Sequence, residues 1–400
     1  MIDLDDLLLR LCAVGPDRRP GSPGNHAAVE LVAEQARELG WSVACPAFPV
    51  VDWAGEPGTL RVGDQVWTAH PSPYGTGWSG SAPIHAVATE AELLGRHAGA
   101  IVLLHGELTT GPLTPRDYPF YGSDRDARIT TALEASGAAA VVAVTGTAPE
   151  VAGAVDPYPL IEDSAFSLPV ADLRASDGAD LLAHLANAGT APLATLELRA
   201  ERWPATARNV LAHRGDQSDR VTVVAHLDTK PGTPGAVDNG TGVVTLLRVA
   251  ELLADLPAEA RPGVELLWVN GEDSHQAAGE LDYLASNDLH QVRLAINIDG
   301  AGFPGGPTAF STYGTVPEPA LAPLRDHGLV EGPSWPQSDH MVFAMAGRPA
   351  IALTSHDLDG VLAQVAHSPQ DTPQRVDTAL LEQAAQGIAA LVRSLPEAEQ

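Results

Sequence analysis

The chain has 400 residues, 44% of them hydrophobic, which is enough to bury a sizeable core and, at roughly 100–200 residues per domain, to form two or three domains. It carries 23 Lys and Arg against 51 Asp and Glu, a formal net charge of −28. An acidic surface of this kind repels nucleic-acid phosphates and anionic membranes, so we expect neither a nucleic acid nor a membrane among its partners.

The first segment, MIDLDDLLLRLCAVG, is predicted to form an amphipathic helix, because its flank is acidic and Arg10 interrupts its apolar run. It lacks the cleavage site of a signal peptide. No stretch of the chain approaches the ~18 apolar residues needed to cross a bilayer, and a cytoplasmic location is therefore expected. Helical spacing over 26–39, stopped by Gly40, predicts a second helix.

The middle of the chain differs from its two ends in its pattern of predicted strands, turns and helices. Residues 55–198 combine short strands, many turns and one helix–strand unit, ALEASGAAAVVAV (132–144), whereas from residue 209 onward apolar strands alternate with helices. Such alternation predicts a central mixed, mostly parallel sheet flanked by helices. We therefore predict an α/β domain formed by 1–54 and 199–400, with a smaller domain inserted at 55–198.

Four strands of the α/β domain are predicted from runs that are apolar on both faces, as buried parallel strands are. They are VTVVAH (221–226), VELLWVN (264–270), LAINID (294–299) and PAIALTS (349–355), and helices are predicted at 241–255 and 378–394.

Polar residues gather where these strands end. They are His226 and Asp228 at the first strand, Glu272 and Asp273 at the second and Asp299 at the third. Ligands of open α/β sheets bind beyond the carboxyl ends of the strands, so these side chains are expected to converge. Asp238, at the start of a helix, and His367, just before the last helix, can join them.

Clustered carboxylates repel one another unless some hold protons or a cation lies between them. Two imidazoles with several carboxylates suit a zinc-type divalent ion. The two cysteines, Cys12 and Cys45, form no C-x-x-C pair, and a pair of free thiols is favoured over a disulfide. If Asp238 bridges, the set can hold two ions, as in two-metal hydrolytic sites.

Each of these features also has an ordinary structural explanation. Asp238-Asn239-Gly240 can be a turn that leads into a helix, the acidic pairs can be exposed strand ends, and His367 can anchor a loop. Their occurrence together, each at the end of a predicted strand or helix, favours the metal site.

The order of motifs resembles that of the zinc aminopeptidases of family M28. The motifs are H-x-D, D-N-G-T-G, G-E-D, I-D-G, S-D-H and H-S-P-Q-D-T, preceded near the N-terminus by RPGSPGN. The resemblance covers 1–50 and 200–395, and the middle segment resembles a protease-associated (PA) insert domain. It implies an α/β zinc-peptidase fold.

The resemblance also implies a role for each site residue. One zinc ion would be held by His226, Asp238 and Asp299. The other would be held by Asp238, Asp273 and His367, with Asp238 bridging. Asp228 would orient His226, and Glu272 would act as the general base.

Two positions depart from the family's pattern. Asp273 stands where a longer Glu is common, and Ala366 stands where well-studied members have a tyrosine that stabilises the oxyanion. Tyr313, His340 or the metal ions alone would have to replace that tyrosine. Asp339 and His340, in the S-D-H motif, either line the site or support it.

The expected activity is hydrolysis of a peptide or related amide, most simply removal of an N-terminal residue from a small peptide. A carboxypeptidase, a deacylase and a glutaminyl-cyclase-like enzyme remain alternatives on the same site. The alternative that is not an enzyme is a non-catalytic scaffold with a vestigial metal site. The oligomeric state is not predicted.

Overall fold

The structure is a computed structural model, and it describes residues 2–116, 118, 121–188, 192–335 and 337–396. The chain forms two compact units, one made of Met1–Val50 and Thr206–Gln400 and the other of Val51–Ala205. None of the described helices is long and apolar enough to cross a membrane. Cys12 and Cys45 are both free thiols.

The strands, in chain order, are β1 (Ser42–Ala44), β2 (Ala47–Val62), β3 (Gln65–Pro71), β4 (Trp78–Val87), β5 (Ile101–Leu104), β6 (Ala140–Val144), β7 (Val170–Leu173), β8 (Leu193–Arg208), β9 (Val210–Arg214), β10 (Arg220–His226), β11 (Gly263–Val269), β12 (Val292–Ile298), β13 (Thr308–Tyr313), β14 (Val330–Glu331) and β15 (Ala350–Ser355). The helices are α1 (Leu4–Cys12), α2 (Pro23–Glu38), α3 (Glu90–Leu93), α4 (Asp124–Ala135), α5 (Pro149–Ala152), α6 (Ala175–Asn187), α7 (Thr241–Leu252), α8 (Ala278–Ser286), α9 (Glu318–Asp326), α10 (His340–Met345), α11 (Leu358–Gln364) and α12 (Thr378–Ser394).

The first unit is built on an eight-stranded mixed sheet in the order β1-β9-β11-β10-β12-β15-β13-β14. The four central strands, β11, β10, β12 and β15, are parallel to one another, so their carboxyl ends meet at one edge of the sheet. Every residue of β10 and β11 is buried, because helices cover the sheet and apolar side chains pack on both faces. The predicted mixed α/β fold is confirmed.

Local capping explains where the helices of this unit begin. The Ser22 side chain accepts a hydrogen bond from the Asn25 N–H, and Pro23 occupies the first turn of α2. Proline suits the first turn, where its missing N–H costs nothing. The helix therefore starts three residues before the predicted 26. The α12 helix matches its predicted span, because the Asp377 side chain caps its first turn.

The second unit contains a closed barrel of seven strands in the order β2-β3-β7-β6-β5-β4-β8. Its central strands β5, β6 and β7 are parallel neighbours and consist of short apolar runs, interrupted only by Asp172 in β7. Two apolar clusters pack on them, one including Ile129 and Leu133 of α4 and the other including Leu181 of α6.

A buried acid lies within this barrel. Asp172 on β7 is 2% exposed. Its Oδ2 accepts a hydrogen bond from Ser72 Oγ at 2.5 Å, and its Oδ1 accepts one from the Leu160 N–H at 3.0 Å. Burial raises the pKa of Asp172 to about 7, against the lowering effect of these two hydrogen bonds.

We predict that Asp172→Asn removes a pH-dependent destabilisation of the protein. Below about pH 4 the carboxyl is protonated in both states. Between about pH 4 and 7 only the unfolded state loses the proton. The unfolded state then binds one proton fewer than the folded state, so the free energy of unfolding of the wild-type protein falls as pH rises. Asn imitates the neutral acid and lacks this term. The free energy of unfolding of each protein is measured by urea denaturation from pH 4.5 to 8. The value for Asp172→Asn minus the value for the wild type should rise with pH. A difference that does not change with pH would refute the raised pKa of Asp172.

Candidate metal centre

The carboxyl edge of the parallel strands brings the predicted polar residues together. His226 is the last residue of β10, and Asp299 follows β12 directly. Glu272 and Asp273 lie in the turn after β11. This is the arrangement expected of parallel strands, because their carboxyl ends share one edge.

Asp238 and His367 reach the same place from loops. Asp238 lies in a short helical segment, Ala236–Gly240, that leads into α7 and has non-helical backbone angles at Asp238. His367 follows α11 with a left-handed φ of 59°. That backbone conformation is uncommon outside glycine, and it is a common feature of functional sites.

The first half of the cluster centres on His226. Its Nε2 lies 3.2 Å from Asp238 Oδ1 and 3.4 Å from Asp299 Oδ1. The imidazole is fully buried, and Nε2 makes no hydrogen bond of acceptable geometry with any described residue. A buried ring nitrogen without such a bond costs free energy unless another ligand takes it.

The second half centres on His367. Its Nε2 lies 3.2 Å from Asp238 Oδ2 and 3.2 Å from Asp273 Oδ1. The two carboxylate oxygens of Asp238 therefore face different histidines. One carboxylate stands between two imidazole–carboxylate groups, which is the position of a bridging ligand.

Asp228 supports the turn after β11, which carries Glu272 and Asp273. Its Oδ1 accepts a hydrogen bond from the Gly271 N–H at 2.8 Å, and its Oδ2 accepts one from the Asp273 N–H at 3.1 Å. His226 Nδ1 lies 3.2 Å from the main-chain oxygen of Asp228 and 3.7 Å from its Oδ1. The residue is thus close enough to orient His226, and in addition it fixes the position of Asp273.

Glu272 lies beside the cluster. Its Oε2 is 4.0 Å from His226 Nε2, and its side chain is 22% exposed. Burial raises the pKa of Glu272 well above its usual value. His226 opposes this effect, while Asp299 and Asp273 add to it. A carboxylate whose basicity is raised in this way is suited to accept a proton near neutral pH.

Several supporting residues were not predicted from the sequence. The Asp371 carboxylate accepts hydrogen bonds from the main-chain N–H groups of Val237 at 2.7 Å and Asp238 at 3.0 Å. Ser338 Oγ donates to Asp299 Oδ2 at 2.7 Å and accepts from Asn297 Nδ2 at 2.6 Å. Asp371 belongs to the motif H-S-P-Q-D-T and Ser338 to the motif S-D-H. Membership of these motifs was the sequence feature that could have identified the two residues.

Neither aromatic candidate for an oxyanion donor is free to serve. Tyr313 ends β13 opposite Ala350, the first residue of β15, which places it at the other edge of the sheet. Its hydroxyl is bonded to the main chain of Trp335. The ring nitrogens of His340 lie 2.9 Å from the Trp335 oxygen and 3.4 Å from Asn297 Nδ2, and burial lowers the pKa of His340 to about 4.

Two further carboxyls lie buried near the cluster. Asp339 is 2% exposed and Glu280 is 3% exposed. Both Asp339 oxygens and Glu280 Oε2 lack a hydrogen-bond partner among the described residues. Burial raises the pKa of Asp339 to about 8 and the pKa of Glu280 well above its usual value.

The cluster's electrostatics fit a divalent cation. Burial lowers the pKa of His226 and of His367, but neighbouring carboxylates outweigh this effect and raise both well above 6.5. Burial raises the pKa of Asp238, yet the adjacent imidazoles of His226 and His367 hold it well below its usual value. The carboxylates therefore require positive charge among them. Ligand atoms of His226, Asp238 and Asp273 lie within 4.8 Å of one another, and this nitrogen and oxygen set suits zinc.

Comparison with known proteins agrees with the geometry. Residues 209–392, which include all seven predicted site residues, match the sequence model of peptidase family M28. The chain is 26% identical over 298 residues to a probable lipoprotein aminopeptidase, LpqL, of Mycobacterium tuberculosis, covering 70% of this chain and 54% of that protein. It is 25% identical over 303 residues to aminopeptidase YwaD of Bacillus subtilis, covering 72% and 59%.

The chain thus spans a little over half the length of these two relatives. Among solved structures, it is similar to a zinc aminopeptidase from Bacillus subtilis, with a TM-score of 0.72 and 20% identity over 99% of this chain and 95% of that one. At this identity the likeness establishes the fold of the chain.

Proposed function

We propose that this protein is a di-zinc aminopeptidase of peptidase family M28 that removes the N-terminal residue of a small peptide. The observation that carries the proposal is the placing of Asp238, whose two oxygens face His226 and His367 at 3.2 Å each. A carboxylate in this position can be shared by two cations, and shared carboxylates are typical of two-metal hydrolytic sites.

The proposed ligands divide into two sets. His226, Asp238 and Asp299 hold one ion, and Asp238, Asp273 and His367 hold the other. Zinc supplies Lewis-acid polarisation of the scissile carbonyl and lowers the pKa of water at the site. Asp273 is one methylene shorter than Glu, but its Oδ1 lies 3.2 Å from His367 Nε2, which supports its place in the second set.

The remaining residues handle protons and positions. Glu272 accepts the proton of the attacking water through its carboxylate and passes it to the leaving amine. Asp228 holds the turn that carries Glu272 and Asp273, and its main-chain oxygen lies beside His226 Nδ1. Ser338 fixes Asp299 by donating to Oδ2, which leaves Oδ1 to face His226.

We also propose that the unit Val51–Ala205 is a PA-like insert. Its support is the seven-stranded barrel with parallel central strands and the helix–strand unit at 132–144, where α4 leads into β6.

The activity is tested with aminoacyl anilides, their N-acetylated counterparts, and peptides with free or amidated C-termini. We expect cleavage of substrates with a free amino group, no cleavage of N-acetylated ones, loss of activity after chelation and recovery with zinc. Release of acyl groups would indicate a deacylase, release of C-terminal residues a carboxypeptidase, and cyclisation of N-terminal Gln a cyclase. Elemental analysis that finds no bound metal, together with no turnover of any substrate, would favour the scaffold.

A further inference from the structure

We propose that Arg18 is a positioning residue for the metal centre: its guanidinium fixes the chain that joins His226 to Asp238 and thereby sets the place of Asp238. This inference rests on the proposed function, because it assigns Arg18 a task at the same site. Arg18 belongs to the N-terminal segment, more than 200 residues away in sequence, and no step of the proposed reaction uses it.

The guanidinium contacts both ends of one loop. Its Nε donates to the main-chain oxygen of Leu227 at 2.8 Å, Nη1 to that of Pro234 at 2.7 Å and Nη2 to that of Gly235 at 2.8 Å. Leu227 directly follows His226, and Gly235 lies three residues before Asp238. Arg18 is 1% exposed, and its hydrogen bonds to Leu227 and Gly235 are buried, while the one to Pro234 is partly buried.

Further hydrogen bonds of Asp17 and Arg18 hold the same loop. The Arg18 N–H donates to Thr229 Oγ1 at 2.8 Å, and the Asp17 carboxylate accepts from the Gly232 N–H at 2.9 Å. Gly235 has a left-handed φ of 63°, and a Cβ there would lie 2.1 Å from Thr229 Cγ2 and 3.0 Å from Arg18 Nη2. The loop is therefore packed closely against the N-terminal segment.

Asp371 binds the same segment through the segment's main-chain N–H groups, whereas Arg18 binds its carbonyl oxygens. Arg18 takes the carbonyl oxygens of Pro234 and Gly235, and the Asp371 carboxylate takes the N–H groups of Val237 and Asp238. The segment just before the bridging ligand is thus fixed on both sides. Supporting contacts of this kind hold catalytic groups within fractions of an ångström of their working position.

The chemistry of arginine explains why this residue is used. Three carbonyl oxygens in different directions match the rigid fork of a guanidinium, whereas a lysine ammonium is a compact group on a flexible stem and cannot reproduce that fork. Removing the fork leaves buried carbonyl oxygens unpaired, which costs free energy and favours movement of the loop. Asp238 then loses its fixed position relative to His226.

The test compares Arg18→Lys and Arg18→Met with a matched control, Arg220→Met. Arg220 is also a buried arginine of the first unit, 3% exposed and bonded to Glu265, Gln217 and Gln291. It is the first residue of β10, whereas His226 is the last. Its loss should destabilise the fold without disturbing the metal centre.

Zinc affinity is measured by competition with a chelator, at a temperature where all variants are folded. Hydrogen exchange of the segment 236–240 is measured on the zinc-free proteins. We expect both Arg18 variants to bind zinc roughly 10- to 100-fold more weakly, the range seen when residues behind metal ligands are changed, and to exchange faster over 236–240. Arg220→Met should leave both quantities at wild-type values while lowering Tm.

Wild-type zinc affinity and exchange in both Arg18 variants would overturn the proposal. An equal loss of affinity in Arg220→Met would also overturn it, because the effect would then follow global stability. A wild-type protein that binds zinc but hydrolyses no peptide would remove the proposed function and leave the positioning role standing. A wild-type protein that binds no zinc would overturn both.

Discussion

Glu272→Gln should lower kcat by about 10²- to 10⁴-fold, the usual contribution of a general acid–base group, while the zinc content stays at the wild-type value. Gln has the same size as Glu but cannot accept the proton of the attacking water. Glu272 belongs to neither proposed ligand set, and its Oε2 lies 4.0 Å from His226 Nε2. Turnover of an aminoacyl anilide and elemental analysis of the same sample measure the two quantities together.

Glu280→Gln is the matched control for this variant. Glu280 is also buried and its pKa is also raised by burial, but it belongs to neither proposed ligand set and takes no part in the proposed proton transfer. Its kcat should stay close to the wild-type value. Near wild-type turnover in Glu272→Gln would remove Glu272 as the base, and loss of zinc in that variant would show that Glu272 is a ligand instead.

Asp238→Asn should weaken the binding of both zinc ions at once. Asp238 offers one oxygen to each histidine, whereas Asn is neutral and replaces one of these oxygens with an N–H donor that cannot bind a cation. Changes behind metal ligands already cost 10- to 100-fold in affinity, so a shared ligand should cost each ion at least about 100-fold. Chelator competition reports the two affinities, and kcat/KM at low zinc should fall with the occupancy.

The control for Asp238→Asn is Glu265→Gln, which changes a buried carboxylate of the same sheet. Glu265 is 1% exposed and contacts His213, Arg220 and Tyr283, all away from the cluster. This variant should be less stable but should bind two zinc ions as the wild type does. If Asp238→Asn lost only one ion and kept the other at full affinity, Asp238 would not be a bridge.

Much of this centre could be predicted because the relevant residues sit at the ends of apolar strands. VTVVAH and LAINID predicted strands that end at His226 and Asp299, and β10 and β12 end at His226 and Ile298. Parallel pairing of these strands then brings their ends to one edge. The convergence of His226 and Asp299 follows from that simple topology.

The supporting residues could not be predicted, because their contacts join distant parts of the chain. Arg18 bonds to Leu227 across 209 residues, and Asp371 bonds to Asp238 across 133. Arg18 lies in a turn before α2 with no motif of its own, and the quoted motif H-S-P-Q-D-T was the one signal for Asp371. Tyr313 was one of three open alternatives for stabilising the oxyanion, and its pairing with Ala350, the first residue of β15, could be seen only in the structure.

The most direct test is anomalous diffraction from crystals of the zinc-loaded protein, with data collected on both sides of the zinc absorption edge. The account predicts two peaks about 3.5–4 Å apart, with an oxygen of Asp238 beside each, His226 and Asp299 at the first and Asp273 and His367 at the second. A single peak, or peaks that share no carboxylate, would contradict the two-ion centre.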